Sequence, residues 1–404
     1  MKRILIIDHF SLAPGENGNN RFIYLAKLLV EAGYQVEIVT SDFCHTAKKT
    51  RSIAQEHLDA LPYTYTMLHE KPYKKNISVQ RLISHYLFGR KLRRYLESMS
   101  IMPDVVYVAV PSIDVGAAVA RYCSKQGIPL IVDIQDLWPE AFKLVLDNPI
   151  ISRFVYCPMR KRIDSVYKRA TALIAVSDTY IQRGAQCRES LDNCETIYLG
   201  TDLSVFDGAV RNSRVVKPDD ELWVTYVGTL GRSYNVNIVS EALSKIKARD
   251  GKRIVFMVLG DGPEKDAFEK HAHAFGVEAK FLGRLPYVEM AGYLAAADIA
   301  VNPIVKGAAQ SIINKHADYA TAGLPVMNTQ ECPEYRELLD KYRCGYNCFV
   351  ENVDDVAAAL QKLIDNPALC WEMGENSRRM AEELFDRPIT YQKIITLIRK
   401  CMGN

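Results

Sequence analysis

Gln310, Ser311, Asn314, Lys315 and Asp318 are spaced so that, at about 100° per residue, they gather on one side of a helix, while Ile312, Ile313, Ala317 and Ala320 take the other. That polar set has the chemistry of an anion and sugar site. A helix start presents free backbone N–H groups and roughly half an elementary charge of dipole, which suit a phosphate. Lys315 adds a point charge one turn in, and Asp318 can accept hydrogen bonds from sugar hydroxyls. A surface helix with a solvated polar face has the same pattern. Ser311 is the expected cap, and Gly323 with Leu324-Pro325 the expected stop. The strand-like run Asp298 to Val305 and the small-residue loop KGAAQ bring the helix start to a strand's end.

Earlier in the same half, three glycine-bearing turns each follow a strand. GTLGR supplies Gly228, Gly231 and Arg232, LGDGP supplies Gly260 and Gly262, and FLGRLP supplies Arg284. One such turn is only a turn, but three in series can line one sheet edge against a diphosphate. In the first half, the loop PGENGNNRF places Gly18 and Asn19 after the first strand, residue types that tolerate left-handed angles and close approach of a ligand. No GxGxxG is present, so dinucleotide binding is not supported. Past the run LIVDI stand Gln135 and Asp136, the latter a carboxylate at a strand end, with Trp138 and Pro139 as wall residues. Asp136 could equally cap the following helix.

These groups need a scaffold of strand ends, and the chain supplies one twice. Apolar runs alternate with amphipathic stretches, the signature of parallel sheets with crossover helices. Strands are expected at 4–7, 36–40, 105–110, 130–134 and 172–177, then at 223–228, 253–260, 279–283, 299–304 and 324–329. The length of 404 residues suits two domains. We expect an α/β chain of two Rossmann-like domains, 1–206 and 222–385, joined by the polar linker 207–221, with a C-terminal helix at 386–404 packing back on the first.

Residues 1–200 hold 26 Lys and Arg against 20 Asp and Glu, while 201–404 hold 25 against 28. The excess sits in two amphipathic segments: 71–94, with eight basic residues and no acid, and 153–169, where Asp164 is the one acid. Such segments suit an anionic membrane surface. No nucleic-acid recognition motif accompanies them. No run approaches the ~20 apolar residues of a membrane span, and Asp8 and His9 interrupt the first apolar run, so a cytoplasmic, unexported protein is expected. Ten cysteines without a CxxC pair suggest reduced, mostly buried thiols rather than structural zinc.

The motifs YVGTLG, VLGDGP, FLGRLP, AADIAVNP and HADYATAGLPV, in that order, resemble the retaining glycosyltransferases of family 4, and DIQDLWPE with the glycine-rich first loop resembles their branch serving bacterial surface polysaccharides. The resemblance covers nearly the whole chain. It implies the GT-B fold, with parallel sheets facing a central cleft, an acceptor-side first domain and a donor-side second. It implies a hexosyl- or N-acetylhexosaminyltransferase using a UDP-sugar, with a glycan or lipid-linked oligosaccharide acceptor at the inner membrane face. Position by position, Gln310 and Asp318 stand where the family has two glutamates, the second on the ribose, and Gln135 stands where it often has a histidine. Of the usual cation pair after the YVG strand only Arg232 is nearby, so Lys315 or Arg284 would share its role. Asp136 would orient the acceptor hydroxyl. No metal or cofactor is expected, the nucleotide sugar being a substrate. A UDP-sugar 2-epimerase of the same fold and a non-enzymatic assembly subunit are the alternatives.

Overall fold

The computed structural model describes residues 1–403 apart from 17–19, 77, 144–147, 249–250 and 309–310. Gly18, Asn19 and Gln310 therefore lie outside the described residues. The chain forms two compact units, Met1–Ile197 with Tyr391–Asn404, and Tyr198–Thr390.

The first unit carries β1 (Arg3–Ile7), β2 (Gln35–Ser41), the short hairpin β3 (Phe43–Cys44) and β4 (Lys49–Thr50), β5 (Thr64–Leu68), β6 (Val105–Val110), β7 (Leu130–Ile134), β8 (Ala172–Ala175) and β9 (Cys194–Thr196). Seven of them make one parallel sheet in the order β5-β2-β1-β6-β7-β8-β9. Successive residues point to opposite faces, and both faces are covered: Leu5, Ile7, Val106 and Val108 enter one core, Ile4, Ile6, Val105 and Tyr107 the other. That double burial is why these strands read as unbroken apolar runs. The Gln392–Cys401 helix packs Ile394, Ile395, Leu397 and Ile398 into the second of these cores. A buried ion pair braces it: Arg21 Nε donates to Asp133 Oδ2 at 2.8 Å and Arg21 Nη1 to the Tyr391 hydroxyl at 3.0 Å.

In the second unit β10 (Glu221–Val227), β11 (Arg253–Leu259), β12 (Ala279–Gly283), β13 (Ile299–Asn302), β14 (Val326–Asn328) and β15 (Gly345–Asn347) form a parallel sheet in the order β12-β11-β10-β13-β14-β15. Counted within each unit, both sheets begin 3-2-1-4-5-6, the doubly wound order. Their connections reverse direction between β1 and β6, and between β10 and β13. Ligands of open α/β sheets bind outside the carboxyl ends of the strands at that reversal.

The expected linker is a different thing in the structure. Leu203–Asn212 is a helix that buries Leu203, Phe206 and Ala209, and Asp202 caps it by accepting from Val205 N at 3.1 Å. Glu221 already belongs to β10, so 213–220 is the loop from that helix to β10 inside the second unit, and the units divide at Ile197 and Tyr198 instead of at 206. The ten cysteines are unpaired, four of them buried and one, Cys157, exposed.

Candidate functional site

β10 and β13 pair only through Val224 with Ile299 and Thr225 with Ala300, so beyond that point the strands part. The Tyr319 hydroxyl fills the gap, accepting from Val227 N at 2.9 Å and donating to the Val301 carbonyl at 3.0 Å. This bridge fixes the Asn314–Thr321 helix at the reversal point.

The helix begins three residues later than Ser311. Ile313 holds the cap position, and its N–H donates to His316 Nδ1 at 3.2 Å, half of a capping box without a hydroxyl. Ser311 is buried instead, its carbonyl accepting from Gln330 Nε2 at 3.0 Å and its hydroxyl without a partner among the described residues. Lys315 also departs from the expected open flank. It is 5 % exposed, and its ammonium lies 4.1 and 4.0 Å from the ring centroids of Tyr226 and Tyr234 with no hydrogen-bond acceptor among the described residues. Burial holds its pKa well below the usual lysine range, against the pull of Asp318. Asp318 is half-buried, and burial pushes its carboxyl up to about 7, with Arg387 and Lys315 drawing it down.

The glycine turns meet this helix. A Cβ on Gly228 would come 3.2 Å from Lys315 Cε and Nζ, so the bare backbone after β10 leaves the lysine its slot. A Cβ on Gly260 would stand 1.8 Å from the Gly228 carbonyl, and one on Gly262 2.2 Å from that of Leu230. Only glycine lets the two turns lie against each other, and Leu230 N donates to the Asp261 carbonyl at 3.0 Å to lock them. A Cβ on Gly231 would meet only Thr229 Cγ2, at an ordinary 3.8 Å. Arg232 extends into solvent, its side chain 92 % exposed and paired with Glu264 at 3.2 Å. Arg284 is exposed at the end of β12.

Sequence reasoning missed the tyrosine pair around Lys315 and the polar network beneath it. Asn302 Nδ2 donates to Asn328 Oδ1 at 2.9 Å and Gln330 Oε1 at 3.1 Å, and the His316 ring stacks on Tyr335 with centroids 3.5 Å apart. Its signal was an asparagine closing each of two apolar strands, IAVN and VMN.

In the first unit, the carboxyl ends of β1 and β7 carry a second set. Asp136 does not cap a helix: Oδ1 accepts from Leu137 N at 2.8 Å and Oδ2 from the Trp138 indole at 3.1 Å, and burial raises its pKa. Gln135 donates its amide to the buried Asp133. Asp8, at the end of β1, is pushed up to about 7 by burial. Behind them His9, Glu70 and His85 bring ligating atoms within 4.8 Å of one another. Glu70 already accepts from Ser41 at 2.6 Å and Ser84 at 2.7 Å and pairs with His9 at 2.9 Å, while His9 Nδ1 bonds Ser112 at 2.8 Å. The group is a satisfied hydrogen-bond network beneath the strand ends.

Residues 18–205 match the family model for Glycosyltransferase Family 4, and residues 211–380 match that for Glycosyl transferases group 1. No curated protein matches the sequence significantly. Among solved structures the chain is similar to sucrose-phosphate synthase from Thermosynechococcus elongatus, at TM-score 0.75 and 16 % identity over 100 % of both chains. It is similar to Anabaena HepE, solved with UDP and glucose, at TM-score 0.70 and 16 % identity over 99 % of this chain and 100 % of that one. WaaG, a glycosyltransferase involved in lipopolysaccharide biosynthesis, gives TM-score 0.65 and 16 % identity over 98 % of this chain and 100 % of its own. With a glycosyltransferase family model accounting for each of its two Rossmann-like units, the chain is a glycosyltransferase of the GT-B fold.

Proposed function

We propose that the protein transfers a hexosyl or N-acetylhexosaminyl group from a UDP-sugar to a glycan or lipid-linked oligosaccharide, with retention of anomeric configuration, in surface polysaccharide synthesis. The observation that carries the donor half is Lys315, an ammonium with no acceptor among the described residues, at the reversal point of the second sheet, beside glycine turns and a helix start. UDP bound to a neighbour of this fold supports the choice of nucleotide.

Breaking the bond between the sugar C1 and the diphosphate oxygen leaves an oxocarbenium-like sugar and a negative leaving group. The N–H groups at Asn314 and beyond, Lys315 and Arg232 stabilise that charge as it develops. Asp318 accepts from the ribose hydroxyls. The departing phosphate oxygen takes the proton of the acceptor hydroxyl on the same face, and the acceptor oxygen bonds to C1. A strong protein base is dispensable in this scheme, which accommodates Gln135 in place of a histidine, and the diphosphate is held by the protein's own cations. Asp136 orients the acceptor hydroxyl.

A peripheral place on the cytoplasmic membrane face has its own support. The Val79–Glu97 helix leaves Val79, Leu82, Ile83, Tyr86 and Leu87 exposed, an i, i+3, i+4, i+7, i+8 stripe turned to solvent. Beside it a hollow of about 880 Å³ is lined by Arg90, Arg93, Arg121, Lys161, Arg162 and Arg169. Apolar side chains next to dense positive charge fit an anionic lipid surface. Among the described residues no helix is long and apolar enough to cross a membrane.

The test is a panel of nucleotide sugars incubated with the protein, with and without membrane lipid extract, following UDP and sugar products. Acceptor-dependent release of UDP is the expected result. Acceptor-independent formation of an epimer would replace transfer by isomerisation, and binding without turnover would make the chain an assembly subunit.

A further inference from the structure

Arg81 opens the Val79–Glu97 helix, yet it is only 8 % exposed and has no carboxylate within ion-pair distance among the described residues. Its guanidinium donates to the Asn76 carbonyl at 2.8 Å and reaches His85 Nε2 at 3.4 Å. Otherwise it lies over aromatic faces, 4.5 Å from the Trp138 centroid and 5.8 Å from those of Phe10 and Tyr73. Lys48 joins it from the β3–β4 hairpin. Its ammonium bonds the Asn76 side chain, approaches His45 Nδ1 at 3.5 Å and sits 4.8 Å from the same Tyr73 ring. Among the described residues it too lacks a carboxylate partner. Glu70, which faces these cations, is committed to His9, Ser41 and Ser84.

Two cations lie around one tyrosine and repel each other, and burial, with the charge of both, brings the pKa of the neighbouring His45 down to about 4. Bringing like charges together in a partly desolvated place is unfavourable unless an anion completes it. The place is specific: Trp138, on which Arg81 stacks, donates its indole N–H to Asp136 Oδ2 at 3.1 Å, so the cluster stands one indole away from that carboxylate.

We propose that Arg81, Lys48 and His45 form an anion subsite in the first unit that takes the phosphate or diphosphate borne by the acceptor. This rests on the reading of the protein as a transferase with its acceptor on that unit. It makes the acceptor a glycosyl phosphate or diphosphate, whether lipid-borne or free, and excludes a neutral glycan end as the preferred partner. Asn76 holds Arg81 and Lys48 together, and Trp138 and Tyr73 supply the flat walls.

The test titrates inorganic pyrophosphate into the full chain saturated with UDP, so that the donor site is filled, for wild type, Lys48→Gln and Arg81→Gln. Lys48 is half-exposed, so its variant reports even where Arg81→Gln disturbs folding. Pyrophosphate should bind wild type, at least fivefold more weakly Lys48→Gln and more than tenfold more weakly Arg81→Gln, with UDP affinity unchanged in Lys48→Gln. No binding to wild type, or equal binding to wild type and Lys48→Gln, overturns the subsite. Failure of UDP itself to bind sinks the donor reading while the pyrophosphate comparison still decides this one. Offered as acceptors, a free hexose 1-phosphate and a polyprenyl diphosphate sugar in vesicles identify the source, and the KM of the true one should rise in Lys48→Gln.

Discussion

Replacing Lys315 by methionine separates a binding group from a structural one. In the free protein the ammonium has two tyrosine faces and, among the described residues, no acceptor. An unpartnered buried donor is unfavourable by about 1–3 kcal/mol, against cation–π contacts of roughly 0.5–2 kcal/mol each. Methionine fills the same slot and regains about 0.3–1.5 kcal/mol of sulfur–aromatic contact. These contributions nearly cancel, so the stability of the free Lys315→Met protein should stay within about 1 kcal/mol of wild type, or roughly 2–4 °C in Tm. With UDP present the balance tips. A hydrogen bond from the ammonium to the diphosphate contributes about 1.5–3 kcal/mol, and at 1.4 kcal/mol per decade its loss weakens UDP by roughly 10- to 150-fold. Calorimetric titration of UDP, paired with a thermal melt of the ligand-free protein, reads both quantities. Unchanged UDP affinity would refute the reasoning, and so would a loss of affinity matched by a collapse in Tm, which would make Lys315 a packing residue.

Asp318→Asn carries a pH signature. With its carboxyl pushed up to about 7 from 3.8, the folded chain binds more protons than the unfolded between those values, so this group's contribution to stability falls as pH rises through that window. The Tm advantage of Asp318→Asn should therefore grow from pH 4 to pH 7 and level off above, and a difference that does not vary with pH contradicts the assignment. Tyr319→Phe strands Val227 N–H and the Val301 carbonyl, which should destabilise by about 1–3 kcal/mol in chemical denaturation and weaken UDP; a silent mutant would mean the helix is held elsewhere. Asp136→Asn should depress transfer at least tenfold with UDP affinity intact, and a fully active variant would remove its role. The double change Ile83→Glu, Leu87→Glu on the exposed stripe should reduce sedimentation with anionic vesicles while leaving UDP affinity unchanged; equal sedimentation would discard the stripe as a membrane face.

What the sequence disclosed and what it hid have physical reasons. Strands covered on both faces are apolar runs, and β6 and β7 begin and end where those runs do. β5 (TYTML), β9 (CET) and β15 (GYN) carry no such run, because they are short or alternate polar with apolar residues, and the pattern passed over them. The helix Leu203–Asn212 was hidden by Asp207 and Gly208 in its middle, which read as a break. At the candidate site the periodicity places a helix but not its start or its faces: Ser311, Ile312 and Ile313 precede the helix, and Lys315, expected on the open polar flank, is buried. Burial between Tyr226 and Tyr234, residues some ninety and eighty positions earlier, is a tertiary fact. The helix start was misplaced for a similar reason: a serine looks like a cap, yet the ring of His316 took that work and Ser311 went into the core. The cation cluster around Tyr73 was visible only as a basic segment, since nothing in the order of residues tells that Arg81 and Lys48 share one asparagine.

The central claim is that the reversal point of the second sheet holds the nucleotide sugar, and amide hydrogen exchange of the full chain with and without saturating UDP tests it most directly. The account predicts slower exchange confined to 228–232, 260–264 and the first turn of the Asn314–Thr321 helix. Protection elsewhere with these three segments unchanged would contradict it.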